Sequence, residues 1–186
     1  MNALSYSAYD VENLSDCDDT NLMVKALNSN DRDFNVGAAG TTMRFLTAFL
    51  SKVVGEWTIT GTERMKNRPI KVLVDALNAL GARIEYMEKE GYPPLRIFGS
   101  ALQGGEISLP GNVSSQYISA ILMIAPLTEN GVTLHLEGAI ISRPYIHITL
   151  QLMEQYGVRA SWTENTIKVL PQEYKPIRFT VESDWL

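Results

Sequence analysis

Two hydrophobic periods alternate along the chain. Ile70, Leu73, Val74, Leu77 and Leu80 recur at steps of three and four, and Ile118, Ile121, Leu122 and Ala125 repeat the pattern. Met43, Leu46, Leu50 and Val53 mark a third stripe, and Ile146, Leu150 and Met153 a fourth. Such spacing puts the apolar groups on one side of a helix. The opening "SDCDDTNLMVKAL", residues 15–27, predicts a fifth helix with its acids near the positive end. Between these lie strand patterns at 56–60, 83–88, 94–98, 105–109, 132–137, 158–162, 166–170 and 177–181. Most of them alternate apolar and polar residues, so one face is buried and the other wet.

Laid over each other, two long stretches have the same order of features. From "GTTMRFLTAFL" onward the chain runs hydroxyl pair, apolar helix, Gly, strand, Arg-Pro, helix, Gly, strand, and from "VSSQYISAILM" it does so again. Thr41 and Thr42 fall opposite Ser114 and Ser115, Arg68-Pro69 opposite Arg143-Pro144, and Gly81 opposite Gly157, at offsets of 73, 75 and 76. Self-similarity of this kind marks a domain built from copies of one supersecondary unit. Each unit reads as alternating strand and helix followed by a closing hairpin, which makes an α/β domain; the pattern leaves open whether helices or sheets lie inside.

The chain has 186 residues, 45% of them hydrophobic, enough for one full-sized core, and the prediction is a single domain over 1–186. No run of about 18 uncharged apolar residues occurs, and the start lacks a basic segment followed by an apolar one, so neither a membrane span nor a signal peptide is expected. A cytoplasmic location follows. Cys17 is the single cysteine and His135 and His147 are isolated, so no disulfide, metal or cofactor is expected. Residues 1–33 hold seven acids against Lys25 and Arg32, while the remainder is balanced, a distribution that argues against a nucleic-acid partner. "MNALSYSAYD" begins and "TVESDWL" stops as if inside elements, which predicts a fragment of a longer chain.

Three helix openings could carry chemistry. "AAGTTMR" offers Gly40, where backbone can approach a ligand, with Thr41, Thr42 and Arg44 beside it. "VSSQ" offers Ser114, Ser115 and Gln116, and "ISRPY" offers Ser142 ahead of a Pro-started helix. Each opening has two explanations: hydroxyls that cap the free backbone N–H groups, or N–H groups and hydroxyls kept for an anion. Three in register favour the anion, since caps alone need neither Gly nor Gln. The one local basic cluster is Arg64, Lys66, Arg68 and Lys71. Arg64, placed in an irregular loop before a helix, is the favoured cation, because a guanidinium binds carboxylate or phosphate with two prongs. The other three read as solvated surface. His135 and His147 read as structural, and Cys17, in acidic surroundings, as a poor nucleophile.

"AAGTTMR", "GTERMKNRPI", "GYPPLRI", "VSSQYISAILMIAPL" and "ISRPYIHITLQLMEQYGV" together resemble, in order and spacing, the first large domain of the 5-enolpyruvylshikimate-3-phosphate synthase family. The resemblance implies repeated βαβαββ units in a pseudo-threefold arrangement, one substrate-binding domain of a monomeric two-domain enolpyruvyl transferase. It also implies a reaction between shikimate-3-phosphate and phosphoenolpyruvate, on the route to chorismate and aromatic amino acids. By that resemblance Ser114, Ser115 and Ser142 cradle the shikimate phosphate, with Gln116 and Tyr145 against the ring. Gly40 and Arg64 face phosphoenolpyruvate, with Gln116 reaching toward it, and Thr41 and Arg44 belong to the same helix start. Ala38 stands where many members carry Asn. The family's N-terminal Lys-Ser and Arg motif and the acid/base residues of its second domain have no counterpart here, so no catalytic residue is assigned, and the missing second domain is the implied partner. Two alternatives stand beside this: enolpyruvyl transfer to a UDP-sugar, which would need a reactive Cys that Cys17 does not match, and a non-catalytic phosphometabolite-binding or scaffold module.

Overall fold

The computed structural model describes residues 11, 12, 23, 27, 32–177, 179 and 180. Its first complete unit is β2 (Asp33–Asn35), α1 (Gly40–Lys52), β3 (Gly55–Thr60), the single turn α2 (Glu63–Lys66), α3 (Lys71–Ala79), β4 (Arg83–Tyr86) and β5 (Leu95–Gly99). The second is β6 (Gly105–Pro110), α4 (Ser115–Ile124), β7 (Val132–Glu137), α5 (Arg143–Gln155), β8 (Ala160–Thr163) and β9 (Thr166–Val169). A further parallel pair joins β1 (Val11–Glu12) to β10 (Phe179–Thr180).

The two sheets have one topology. β2 runs parallel to β3, which pairs antiparallel with β5, and β4 closes the edge antiparallel to β5; β6, β7, β9 and β8 repeat this order and these directions. Each unit is therefore a βαβ crossover followed by a hairpin, as the repeat predicted. The arrangement left open by sequence is resolved with helices inside. α4 buries Ile118, Ile121, Leu122 and Ile124 and packs on α1, α3 and α5, while the sheets lie outside it with alternating buried and exposed positions. Two hydroxyls are drawn into this helical interior, and Ser119 and Thr149 satisfy each other at 2.7 Å between α4 and α5.

Four expectations change. β2 carried no strand pattern, because three residues with only Phe34 buried give no alternation to read. Arg64 is in a helical turn and not in an irregular loop: Thr62 Oγ1 accepts from Met65 N at 3.3 Å, a side-chain cap that starts α2. The strand over 158–162 begins at Ala160, because the Gln172 side chain takes both the Arg159 N–H (2.9 Å) and the Arg159 carbonyl (2.8 Å). The strand over 177–181 is confined to Phe179–Thr180 among the described residues. Of the acidic helix over 15–27, Met23 and Leu27 are described and helical, and the rest, Cys17 included, lies outside the described residues. No described helix is long and apolar enough to cross a membrane.

Candidate functional site

Parallel pairing sends the loops after β2 and β3 out of one sheet edge, and those after β6 and β7 out of the other sheet's matching edge. In the first unit Val36 N donates to Thr60 O at 2.9 Å and Thr62 N to Gly37 O at 3.0 Å; in the second Gly111 N donates to Glu137 O at 2.7 Å and Ile141 N to Gly111 O at 3.3 Å. The two loop pairs are thus clasped in the same way. They deliver the starts of α1 and α2 from one sheet, and of α4 and α5 from the other.

The helix starts differ in how they are capped. Ser114 is the N-cap of α4, and its Oγ accepts from Gln116 N at 3.3 Å, so the plain capping explanation holds for this residue. α1 starts at Gly40 behind Ala39, which has no side-chain oxygen, and Ser142 makes no capping bond at the start of α5. None of the three helices has an acid in its first turn. An acid there is the ordinary partner of a helix's positive end, so these ends keep their attraction for an anion.

Gln116 joins two of the starts. Its Nε2 donates to Thr41 Oγ1 at 2.9 Å, and its Oε1 accepts from Arg44 Nη1, so one amide holds the first turn of α1 against the first turn of α4. The Arg44 guanidinium also lies over the Tyr117 ring, 5.2 Å from its centre, and Tyr117 OH donates to Pro69 O at 2.8 Å. This network fixes the repeat register. The N-caps Ala39 and Ser114 and the bonded pair Thr41 and Gln116 are each 75 residues apart, so Thr41 is the structural equivalent of Gln116. Matching Thr41 and Thr42 to Ser114 and Ser115 is out by two positions. Thr42, fully buried, faces the core.

The basic cluster divides in two. Lys66 pairs with Glu63 (3.7 Å) and Glu88 (3.4 Å), and Lys71 with Asp75 (3.4 Å) and Glu90 (4.0 Å), exposed pairs of little energetic weight. Arg64 and Arg68 are exposed and in no salt bridge among the described residues. Arg68, read from sequence as solvated surface, lies against Gly40: a Cβ built on Gly40 would stand 2.4 Å from Arg68 Nη1. Its neighbours Gly40, Met43, Arg44, Met65 and Pro69 line a small cleft with it.

Of the sequence candidates, Gly40, Thr41, Arg44, Ser114 and Gln116 are brought together directly, and Ser115 adjoins them. Ser142 is linked through the Ile141–Gly111 clasp. Arg64 stands on α2, and Tyr145, 64% exposed, on the first turn of α5; neither makes a side-chain bond to the others. Arg68 and Tyr117 are the residues that sequence reasoning missed. Tyr117, next to Gln116, is signalled only by its position, and nothing in sequence places Arg68 on Gly40. His135 bonds Thr166 at 3.1 Å and Glu106 across the outer sheet, and the His147 ring centre lies 4.6 Å from that of Trp162, which also lies under the Arg143 guanidinium.

The model of the family described as "EPSP synthase (3-phosphoshikimate 1-carboxyvinyltransferase)" matches residues 24–186. The chain is 59% identical over all its 186 residues to a 3-phosphoshikimate 1-carboxyvinyltransferase of Bacteroides fragilis, and covers 45% of that protein. It is 48% identical over 152 residues, 80% of the chain, to the Vibrio cholerae enzyme of the same name, covering 36% of it. A solved EPSP synthase from Acinetobacter baumannii superposes with a TM-score of 0.81 at 18% identity, over 96% of this chain and 46% of that one. The chain thus spans less than half the length of these relatives. With two βαβαββ units of one topology and a family match over nearly its whole length, the chain belongs to the EPSP synthase family.

Proposed function

We propose that residues 1–186 form one substrate-binding domain of a 3-phosphoshikimate 1-carboxyvinyltransferase. In the reaction the 5-hydroxyl of shikimate-3-phosphate gives its proton to a base as its oxygen bonds to C2 of phosphoenolpyruvate and C3 takes a proton from an acid. Loss of a C3 proton with expulsion of inorganic phosphate then restores the double bond. Both substrates are polyanions, so the chemistry requires cation-lined binding together with separate proton donors and acceptors. Ser114, Ser115 and Ser142 hold the shikimate phosphate, with Gln116 and Tyr145 on the ring. Gly40 and Arg64 form the phosphoenolpyruvate side, with Gln116 reaching toward it and Thr41 and Arg44 at the same helix start. The observation that carries this reading is the Gln116 bridge, which sets two uncapped or hydroxyl-capped helix starts and the Arg44 guanidinium in one place.

The acid/base groups belong, on this reading, to the length that the relatives have and this chain lacks, so the 186 residues bind but do not turn over. The complete enzyme is a cytoplasmic monomer that needs no cofactor. Ser114 acting as a plain cap favours the other reading, a non-catalytic phosphometabolite-binding or scaffold module. Calorimetry with shikimate-3-phosphate separates the two. The transferase reading expects binding that weakens about tenfold when Ser114 and Ser115 become Ala, the loss of one or two hydrogen bonds to a charged group. No binding, even with the second domain of a relative added in trans, supports the scaffold; ordinary turnover by the 186 residues alone contradicts the assigned division.

A further inference from the structure

We propose that Arg68 is a further anion-positioning residue of this site, seated on the bare backbone of Gly40, so that position 40 governs anion affinity through Arg68. The inference rests on the reading of Gly40 and its helix start as part of the phosphoenolpyruvate side.

Two arginines, Arg44 and Arg68, line the cleft, and none of its lining residues is an acid. Arg44 spends one N–H on Gln116, whereas Arg68 is in no salt bridge among the described residues. Two guanidiniums on one small concave surface repel each other, and an anion bound beside them relieves that repulsion. A long side chain free in water also loses rotamer freedom when it is fixed on a ligand. Contact with Gly40 already confines the Arg68 guanidinium, and the backbone that carries it is held as well. Arg68 N donates to Met65 O at 3.0 Å, which ties the residue to the end of α2, and the following Pro69 O accepts from Tyr117 OH at 2.8 Å, which ties it to α4.

Gly40 supplies the seat. A Cβ at this position would stand 2.4 Å from Arg68 Nη1, 2.9 Å from Cζ and 3.0 Å from Nη2, so the flat guanidinium occupies the space of the missing methyl group. These atoms are the far end of a flexible side chain, and a methyl group there moves Arg68 rather than the backbone. Gly40→Ala therefore keeps the fold and displaces the cation. The same variant would act without Arg68 if the methyl group pressed on the ligand itself, and a double-mutant cycle distinguishes these routes.

The test is a 15N NMR titration of the 186-residue chain with phosphoenolpyruvate, for the wild type, Gly40→Ala, Arg68→Gln, the double variant and Arg68→Lys, with amide dispersion confirming the fold of each. Each single substitution weakens binding about tenfold, as expected for one charge-assisted contact, and the double variant is no weaker than either. Arg68→Lys restores part of the loss, and the salt dependence of binding is shallower in Arg68→Gln than in the wild type. An Arg68→Gln affinity within about twofold of wild type, or losses that multiply in the double variant, overturns the proposal. Saturable binding of shikimate-3-phosphate that depends on Ser114 and Ser115, with no phosphoenolpyruvate binding, overturns it while leaving the functional reading intact. Absence of binding by either ligand overturns both.

Discussion

Gln116 and Thr41, 75 residues apart, hold equivalent places in two copies of one fold unit and are hydrogen bonded to each other at 2.9 Å. The repeat thus does more than economise on sequence. It faces two copies of the same helix start toward each other, and because the partners are an amide and a hydroxyl, they leave the positive ends of α1 and α4 unneutralised.

Gln116 can be tested at the level of both fold and charge. Gln116→Ala removes the partners of Arg44 and Thr41 and lowers unfolding free energy by about 1–2 kcal/mol. Gln116→Glu keeps an acceptor for Arg44 and for the Thr41 hydroxyl, so urea unfolding stays within about 1 kcal/mol of wild type. Its added negative charge should nevertheless weaken shikimate-3-phosphate binding about tenfold or more by calorimetry. Unchanged affinity in Gln116→Glu would place the anion elsewhere.

Tyr86 has a buried hydroxyl with no hydrogen-bond partner among the described residues. Tyr86→Phe should raise stability by about 1 kcal/mol at neutral pH, since an unsatisfied polar group is removed without loss of a bond. Burial, and after it the Asp75 and Glu90 carboxylates, pushes the phenol up from 10.0 to about 12. Below pH 10 the group is protonated in folded and unfolded chains alike, and stability is full. Above it the unfolded chain releases its proton first, so stability declines toward about pH 12. Tyr174, which donates to Met123 O and is also raised by burial, adds to this decline. Urea midpoints at about pH 8 and about pH 11 should differ less in Tyr86→Phe than in wild type, with Tyr156, also raised by burial, and Tyr174 contributing to the remaining difference.

Gly99 closes β5 against the end of α1. A Cβ there would lie 1.6 Å from Val53 O and 2.6 Å from Leu50 O, both backbone atoms that cannot rotate aside. Gly99→Ala should therefore cost about 3 kcal/mol or prevent folding, as read by urea denaturation and amide dispersion. A stability equal to wild type would show that α1 does not pack on the sheet as described.

The helices and the hairpins were legible because they bury one face, and burial writes a period into the sequence. Leu73, Leu77 and Leu80 could be placed on a core before any coordinates, and they are fully buried. β2 was not legible, since a three-residue edge strand with one inward side chain leaves no alternation. The turn at Arg64 went unseen because its signal is a single capping hydroxyl on Thr62. The repeat register was read two positions out because hydroxyl pairs look alike in sequence, while the structural match depends on which residue precedes the first helical N–H: Ala39 in one unit, Ser114 in the other. The seat of Arg68 on Gly40 depends on how α2 docks beside α1, a tertiary relation that no local pattern records.

On the proposed reading, the starts of α1, α4 and α5 make one seat for a phosphorylated acid. A 15N NMR titration of the 186-residue chain with shikimate-3-phosphate, following the amides of residues 40–44, 114–117 and 142–145, tests it most directly. All three groups should shift along one saturation curve, and the curve should move to weaker binding as salt is raised. Shifts confined to one helix start, or three groups that saturate at different concentrations, would contradict it.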